Sequence, residues 1–552
     1  MGGCSGGVFA CLALASALSL SPVGQQAQAT TATSIPGDDA QHRPAGINWV
    51  DGSVDQAFER AQREQRLVFL YWGAVWCPPC NQLKATVFRS PGFIERMRSF
   101  VPVYIDGDAP GAQALGARFQ VIGYPTTLVL RADGQEISRL PGEVDPQRYV
   151  DALDAALHAT HPVHDLLADA LAGRRTLNQD EWRLLALYSW ETDQRQLVPE
   201  GNAAETVARL ALACPARRRD SRDRLTLKAL ALSAGSPATL TVPGVGAVPK
   251  SGRTAQDASR VSALIQVARE GVGVARRVLR DPALARRHLD LLTDAPDKLV
   301  GLLAPGNLAQ QRALALQWDR AMSGLAQDAG LSNLDRLSAL GARVALARRD
   351  TPDATVRAAL PPELIAELRA AVLRADRTAT GNAERPAVIS NATELLAEAG
   401  LLDESDALLK AELARSPSPY YLMLGLADNA RRRHDGSAAL DWYARAHAGA
   451  QGPATRLQWG ASHVRALIEF APDDAGRIES TVSGVLAEIE PVPASFEARN
   501  RNSLERLGRR IGAWGAAPEH AASLARLRAQ WQAMCERVPA QTPQRAICAQ
   551  AL

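Results

Sequence analysis

Residues 66–80 read Arg66-Leu67-Val68-Phe69-Leu70-Tyr71-Trp72-Gly73-Ala74-Val75-Trp76-Cys77-Pro78-Pro79-Cys80. Apolar side chains follow one another from Leu67 to Trp72 without polar alternation, the pattern of a strand buried on both faces. The strand runs into two cysteines separated by two prolines. Pro78 and Pro79 suit early helical positions, where an N–H has no intrahelical partner, so the turn opens a helix, expected to continue through Val87. Thiols at i and i+3 on a first helical turn lie close enough to close a disulfide. The partial positive charge of the helix N-terminus favours thiolate on Cys77. Cys77 is therefore expected as the exposed attacking sulfur and Cys80 as the recessed resolving one.

Reading outward, Ser53 and Gln56 fit a capping box, and Val54, Ala57, Phe58 and Ala61 continue at helical spacing. Residues 100–106 (FVPVYID) form a second strand and residues 113–119 a helix. Residues 126–130 and 136–140 make a hairpin across Asp133-Gly134, and residues 145–159 a closing helix. Helices alternating with strands over residues 47–160 describe a compact α/β layer domain. Two other readings of the cysteine pair are half a zinc site and a static disulfide. A zinc site needs a second Cys/His pair at matching spacing, and residues 47–160 contain none. Histidines 158, 161 and 164 stand at i, i+3 and i+6, but without convergent carboxylates they read as solvated helix-end residues.

At this point residues 47–160 resemble a thioredoxin-fold domain. Residues 68–80 resemble its central strand and active-site turn. Gly123-Tyr124-Pro125-Thr126 resembles the loop that holds the family's cis-proline opposite the disulfide. The stretch from Cys80 to Phe93 is most similar to the C-terminal periplasmic domain of DsbD-type electron transporters. The resemblance implies dithiol–disulfide exchange through Cys77 and Cys80 with no further cofactor. It also implies a cis peptide at Pro125 and a substrate groove shaped by Trp76, Tyr124 and Pro125, where the Tyr124 backbone pairs with an extended client strand. Two positions depart from the family. Tyr71 stands where thioredoxin buries a carboxylate and Pro102 where it buries a lysine, so both charged partners are replaced together.

The N-terminus sets the compartment. Residues 8–20 (VFACLALASALSL) form a short apolar run, followed by Ala27-Gln28-Ala29. This is the layout of a secretory signal, residues 1–29, cleaved after Ala29, although no Lys or Arg precedes the run. A polar linker, residues 30–46, follows. Export to a periplasm-like space permits disulfides. Cys4 and Cys11 leave with the signal, and the mature chain keeps Cys77, Cys80, Cys214, Cys535 and Cys548. Among the last three, Cys535 and Cys548 close the shortest loop. They are expected to form a structural disulfide, with Cys214 buried and free; the alternative is three unpaired thiols in apolar packing.

Composition closes off other classes. Of 552 residues, 46% are hydrophobic and 22% charged, ordinary values for globular protein. Lys plus Arg (62) nearly balances Asp plus Glu (59), with no basic block to suit nucleic acid. Only five of the cations are lysine, at positions 84, 228, 250, 298 and 410. Beyond residue 160 strand signals vanish. A helical region is expected over residues 161–375, broken by a Pro/Gly-rich loop at 235–252, and a second over residues 388–552. Ala407, Ala411 and Ala414 recur 32 residues later as Ala439, Tyr443 and Ala446, suggesting tetratricopeptide-like helix pairs, a kind of repeat that binds protein partners.

Together these features describe an exported α/β thioredoxin fold followed by a large all-α region. The expected activity is exchange with protein thiols or disulfides, with a membrane electron donor and a protein partner on the helices. With proline at both positions between the cysteines, neither residue donates an N–H to the Cys77 sulfur, which favours a reductant or mid-potential exchanger over a strong oxidant. The rival is a non-catalytic assembly or scaffold factor, whose small domain docks or holds Cu(I) on thiolates.

Overall fold

The computed structural model describes residues 43–552 except 110, 141, 143–144, 193–196, 199–201, 236–254 and 350–358. The expected signal, nearly all of the linker and nearly all of the 235–252 loop lie outside the described residues. Four strands form one sheet in the order β2-β1-β3-β4. The central strand β1 (Leu67–Gly73) pairs parallel with β2 (Phe100–Asp106) and antiparallel with β3 (Thr126–Leu130). β3 turns through Asp133-Gly134 into antiparallel β4 (Glu136–Leu140), with an irregularity at Val129/Leu130. Pro102 sits on the edge strand β2, and its carbonyl accepts the Val50 N–H at 2.9 Å. An edge is where a residue without an N–H costs a sheet least.

Both sheet faces are covered, as the apolar run in β1 requires. Val68, Leu70 and Trp72 pack on one side with α1 (Val54–Glu64), which has the Ser53/Gln56 capping box, and with α4 (Ala112–Arg118). Phe69 and Tyr71 pack on the other with Trp49, Phe88 and Phe93, joined by α5 (Pro146–Leu157), which Asp145 caps. The helix α2 (Pro78–Ala85), which follows the cysteine turn, ends two residues short of the expected Val87, and a 3-10 turn follows at Val87–Arg89. The sequence reading passed over α3 (Pro91–Met97), although Ser90 caps it, Pro91 opens it, and Phe93 and Met97 bury at i, i+4.

Every regular element after α5 is helical among the described residues. These helices pack around the α/β domain on three sides. Beside the edge strand, the Ser189 N–H donates to the Arg139 carbonyl of β4 at 2.9 Å. The fully buried Arg139 guanidinium reaches the carbonyls of Phe119 and Thr192 at 3.2 Å each. Helix Glu384–Glu398 lies against α2, and helices Pro453–Phe470 and Ala498–Trp514 reach the loop after β2 and α4. None of the described helices is long and apolar enough to cross a membrane.

Buried positions on these helices recur at a spacing of 34 residues, not 32. Val388, Ala392 and Leu396 are buried on helix Glu384–Glu398, and Leu422, Leu426 and Ala430 stand 34 residues later on Pro419–Arg432. Ser405, Leu409 and Glu412 of Leu402–Glu412 likewise precede Ala439, Tyr443 and Ala446 of Gly436–Gly449 by 34. The 32-residue match was wrong because Ala407, Ala411 and Ala414 face outward. Small size made them look like packing residues, whereas Glu412 is buried because Arg385 pairs with it at 2.7 Å.

Candidate functional site

The Cys77–Cys80 pair stands where β1 delivers the chain to α2. Cys77 is the N-cap of that helix, and its sulfur accepts the Cys80 N–H at 3.2 Å. The two are joined as a disulfide, with Cα atoms 5.2 Å apart. Across from it the Tyr124–Pro125 peptide is cis. The Tyr124 hydroxyl donates to the Gly107 carbonyl at 2.9 Å and accepts from Gln113 Nε2 at 3.0 Å. Gly107 has to be glycine here, because a Cβ would lie 2.1 Å from the Tyr124 ring.

The family model for a thioredoxin-like domain matches residues 54–157. Residues 54–157 are a thioredoxin-like domain. The thiol:disulfide interchange protein DsbD of Klebsiella pneumoniae is 31% identical over 110 residues, which is 20% of this chain and 17% of that protein. The chain thus matches less than a fifth of its relative's length. A thioredoxin from Thermus thermophilus, solved in solution, is 25% identical, with 21% of this chain and 99% of that one covered and a TM-score of 0.19.

The thioredoxin-like domain departs from expectation at the nucleophile. Cys77 was expected to be exposed, and it is 2% exposed, with Cys80 at 0%. Trp76 and Tyr124 pack against Cys77, and the helical region in turn covers Trp76. Trp76 stacks on Tyr421 (5.8 Å, 22°) and meets Trp459 edge-on at 5.0 Å. The Arg499 guanidinium lies over both Trp76 (5.1 Å) and Tyr124 (4.7 Å). Asp108, in the loop after β2, anchors the arrangement. It accepts the Trp76 Nε1–H and the Thr455 hydroxyl (2.7 Å), and Arg499 stands 3.8 Å away. Burial raises the Asp108 pKa, while Thr455 and Arg499 hold it down in part. Gly452 lets the chain come this close: its φ is +78°, and a Cβ would lie 2.6 Å from Asp108. Nothing local in the sequence points from Trp76 to Arg499, more than 400 residues away.

Below the disulfide, aromatic rings replace the charged pair. Tyr71 is fully buried, edge-on to Phe88 at 5.0 Å and tilted against Tyr104 at 5.2 Å. Its hydroxyl has no hydrogen-bond partner among the described residues, and burial pushes its pKa up. The sequence reading missed Lys84, one helical turn after Cys80 and so on the same face of α2. It is 6% exposed, with Nζ 5.5 Å from the centre of the Tyr104 ring. Burial lowers its pKa to about 8, partly opposed by Asp106. The i+4 spacing from Cys80 was the available signal.

The remaining cysteines are remote. Cys535 and Cys548 form a disulfide between helices Ala521–Glu536 and Pro543–Gln550, with Cα atoms 5.6 Å apart. Cys214 is unpaired and buried, its thiol pushed up to about 12 by burial. The three histidines meet separate partners: His158 Nδ1 contacts the Asp154 carbonyl, His161 Nδ1 the Thr160 hydroxyl and, at 3.7 Å, the Glu181 carboxylate, and His164 Nδ1 the Asp165 carboxylate. Among the described residues no group of three or more His, Cys, Asp or Glu is placed to hold a metal.

Proposed function

We propose that this protein is a thiol–disulfide oxidoreductase acting through Trp76-Cys77-Pro78-Pro79-Cys80. The observation that carries the reading is a disulfide at the N-terminus of α2 beside a cis-proline, in a thioredoxin-like domain. In the reductive direction the Cys77 thiolate attacks a client disulfide, forming a mixed disulfide and releasing the other client sulfur as thiolate. Cys80, deprotonated, then attacks the Cys77 sulfur, restoring the intramolecular disulfide and freeing the second client thiol. Two electrons pass to the client, and Trp76, Tyr124 and Pro125 shape the groove.

The direction of exchange follows from the donors around Cys77. Pro78 and Pro79 bring no N–H, leaving the Cys80 amide as the one backbone donor to that sulfur. Thiolate is then stabilised only moderately, which favours a reductant or mid-potential exchanger. Export to the periplasm, supply by a membrane donor and tetratricopeptide-like partner binding by the helices belong to the same proposal. The 34-residue spacing of buried positions supports the last of these. The test is capture: Cys80→Ala leaves Cys77 able to attack but without a resolving thiol, so mixed disulfides with protein clients accumulate. Their absence, with an intact fold, favours a non-catalytic scaffold.

A further inference from the structure

Resolution of a mixed disulfide needs Cys80 as thiolate, and Cys80 is fully buried. A thiol in apolar surroundings holds its proton, so that proton needs an acceptor inside the domain. Tyr71, which fills the place of the family's carboxylate, cannot serve. Its hydroxyl reaches the end of β1, where a Cβ on Gly73 would clash with it. Burial keeps that hydroxyl protonated, so it is no base.

Lys84 is better placed. It stands four residues after Cys80 on α2. Helical side chains tilt toward the helix N-terminus, and Cβ atoms at i and i+4 lie about 5–6 Å apart, so its stem runs back toward Cys80. The side chain stays inside the domain, with Nζ over the Tyr104 ring. Among the described residues Nζ makes no hydrogen bond and no ion pair. A buried ammonium without an ion-pair partner is costly, and a thiolate arising beside it offsets that cost.

The other titratable groups on the surrounding elements are Tyr71 on β1, Tyr104 and Asp106 on β2, and Tyr149 on α5. Where helix Glu384–Glu398 meets α2, Glu394 lines a cavity with Pro78, Pro79 and Gln82. Burial holds Tyr149 protonated as it does Tyr71. Asp106 ends the edge strand, accepts the Asp108 N–H at 3.0 Å, and favours the charged form of Lys84. Burial outweighs Asp106 and lowers the Lys84 pKa to about 8, so neutral amine is available near neutral pH.

We propose that Lys84 is the base of the resolving step: its neutral amine takes the Cys80 proton, directly or through one water, and the resulting ammonium stays beside the thiolate. The thiolate attacks the Cys77 sulfur, the Cys77–Cys80 bond forms, and the client sulfur leaves with the electron pair of the broken bond. The client thiolate takes a proton from solvent, and Lys84 returns one to it. The inference rests on the redox reading above and adds the group that handles the proton.

The test mixes the full chain, reduced to the Cys77/Cys80 dithiol, with the aromatic disulfide dithiobis(nitrobenzoate) in stopped flow. One thionitrobenzoate leaves when Cys77 attacks, in a phase that depends on probe concentration. The second leaves when Cys80 resolves the mixed disulfide, in a phase that does not. Lys84→Met is expected to slow the second phase about tenfold or more at neutral pH. It should also move the midpoint of that phase's pH profile up by about one pH unit, and leave the first phase nearly unchanged. Lys84→Gln should do the same, and serves if the methionine variant folds poorly. A second phase unchanged in rate and pH profile overturns the inference and leaves the redox reading standing. So does a second phase slowed only as much as the first. A parent protein that releases no thionitrobenzoate overturns the redox reading itself and this inference with it.

Discussion

Among the described residues two disulfides have nearly equal Cα separations, 5.2 Å at Cys77–Cys80 and 5.6 Å at Cys535–Cys548. Their settings in the chain differ. The first lies within one helical turn, with its leading sulfur at the helix N-cap and a cis-proline opposite. The second ties the last two helices together over 13 residues, packed among Trp531, Met534 and Val538. Burial does not separate them, since all four cysteines are 2% exposed or less. What separates them is whether a thiolate at that position would be stabilised and whether a client can be presented to it. On the proposed reading, redox function belongs to the turn and its groove and not to the bond.

The sharpest way to break this contrast is to remove one cysteine from each pair. Cys77→Ser should reduce disulfide exchange to background, because the nucleophile at the helix N-terminus is gone, whereas exchange should survive Cys535→Ala unchanged. A stopped-flow assay with a small disulfide reads both. The same pair of variants should show the converse in stability. Opening a 13-residue loop in the tail should cost about 3 kcal/mol on the loop-entropy estimate, measured by urea unfolding of the full chain. A Cys535→Ala variant that loses exchange, or loses no stability, would erase the distinction.

Lys84 sharpens the active-site half of the comparison. Its folded pKa of about 8 lies below its ordinary value of 10.5. Between those pH values the unfolded chain holds more protons than the folded one, so stability should rise as pH is raised through about 8 to 10.5. Below pH 8 the penalty for the charged, buried ammonium is present in full. Lys84→Met should therefore stabilise the protein at pH 7 by about 2 kcal/mol and flatten that rise. Unfolding free energies measured from pH 7 to 10.5 decide this, and a variant less stable than the parent at pH 7 would show that the charge contributes more than its burial costs. A comparable effect is expected at Gly452. Ala at a φ of +78° carries a backbone penalty of about 1–3 kcal/mol. Its Cβ would also press on Asp108, so Gly452→Ala should lower stability by at least about 1 kcal/mol in urea unfolding and speed alkylation of reduced Cys77 by iodoacetamide.

The sequence was most legible where local chemistry decides structure. Strand β2, both strands of the hairpin and the Ser53 capping box lie where the pattern put them, because alternating or continuous apolar runs and cap residues are short-range signals. The α3 helix was missed although Ser90 and Pro91 announce it, because seven residues are too few to show a helical apolar repeat. The repeat register slipped by two residues because alanine is ambiguous: it packs well and also sits on open helix faces. The cover over Trp76 was illegible for a different reason. Tyr421, Trp459 and Arg499 form one site with Trp76 only through tertiary packing, and no spacing rule connects them. The seating of Trp76 against those helices could not be read from the motif.

The central claim is that Cys77–Cys80 is the exchanging pair and Cys535–Cys548 is not. It is tested most directly by equilibrating the full-length protein in graded redox buffers and assigning thiols by alkylation and peptide mass spectrometry. The account predicts that Cys77–Cys80 titrates as a two-electron couple between about −180 and −270 mV, while Cys535–Cys548 stays oxidised throughout that range. A Cys77–Cys80 pair that never opens, or that titrates together with Cys535–Cys548, would contradict it.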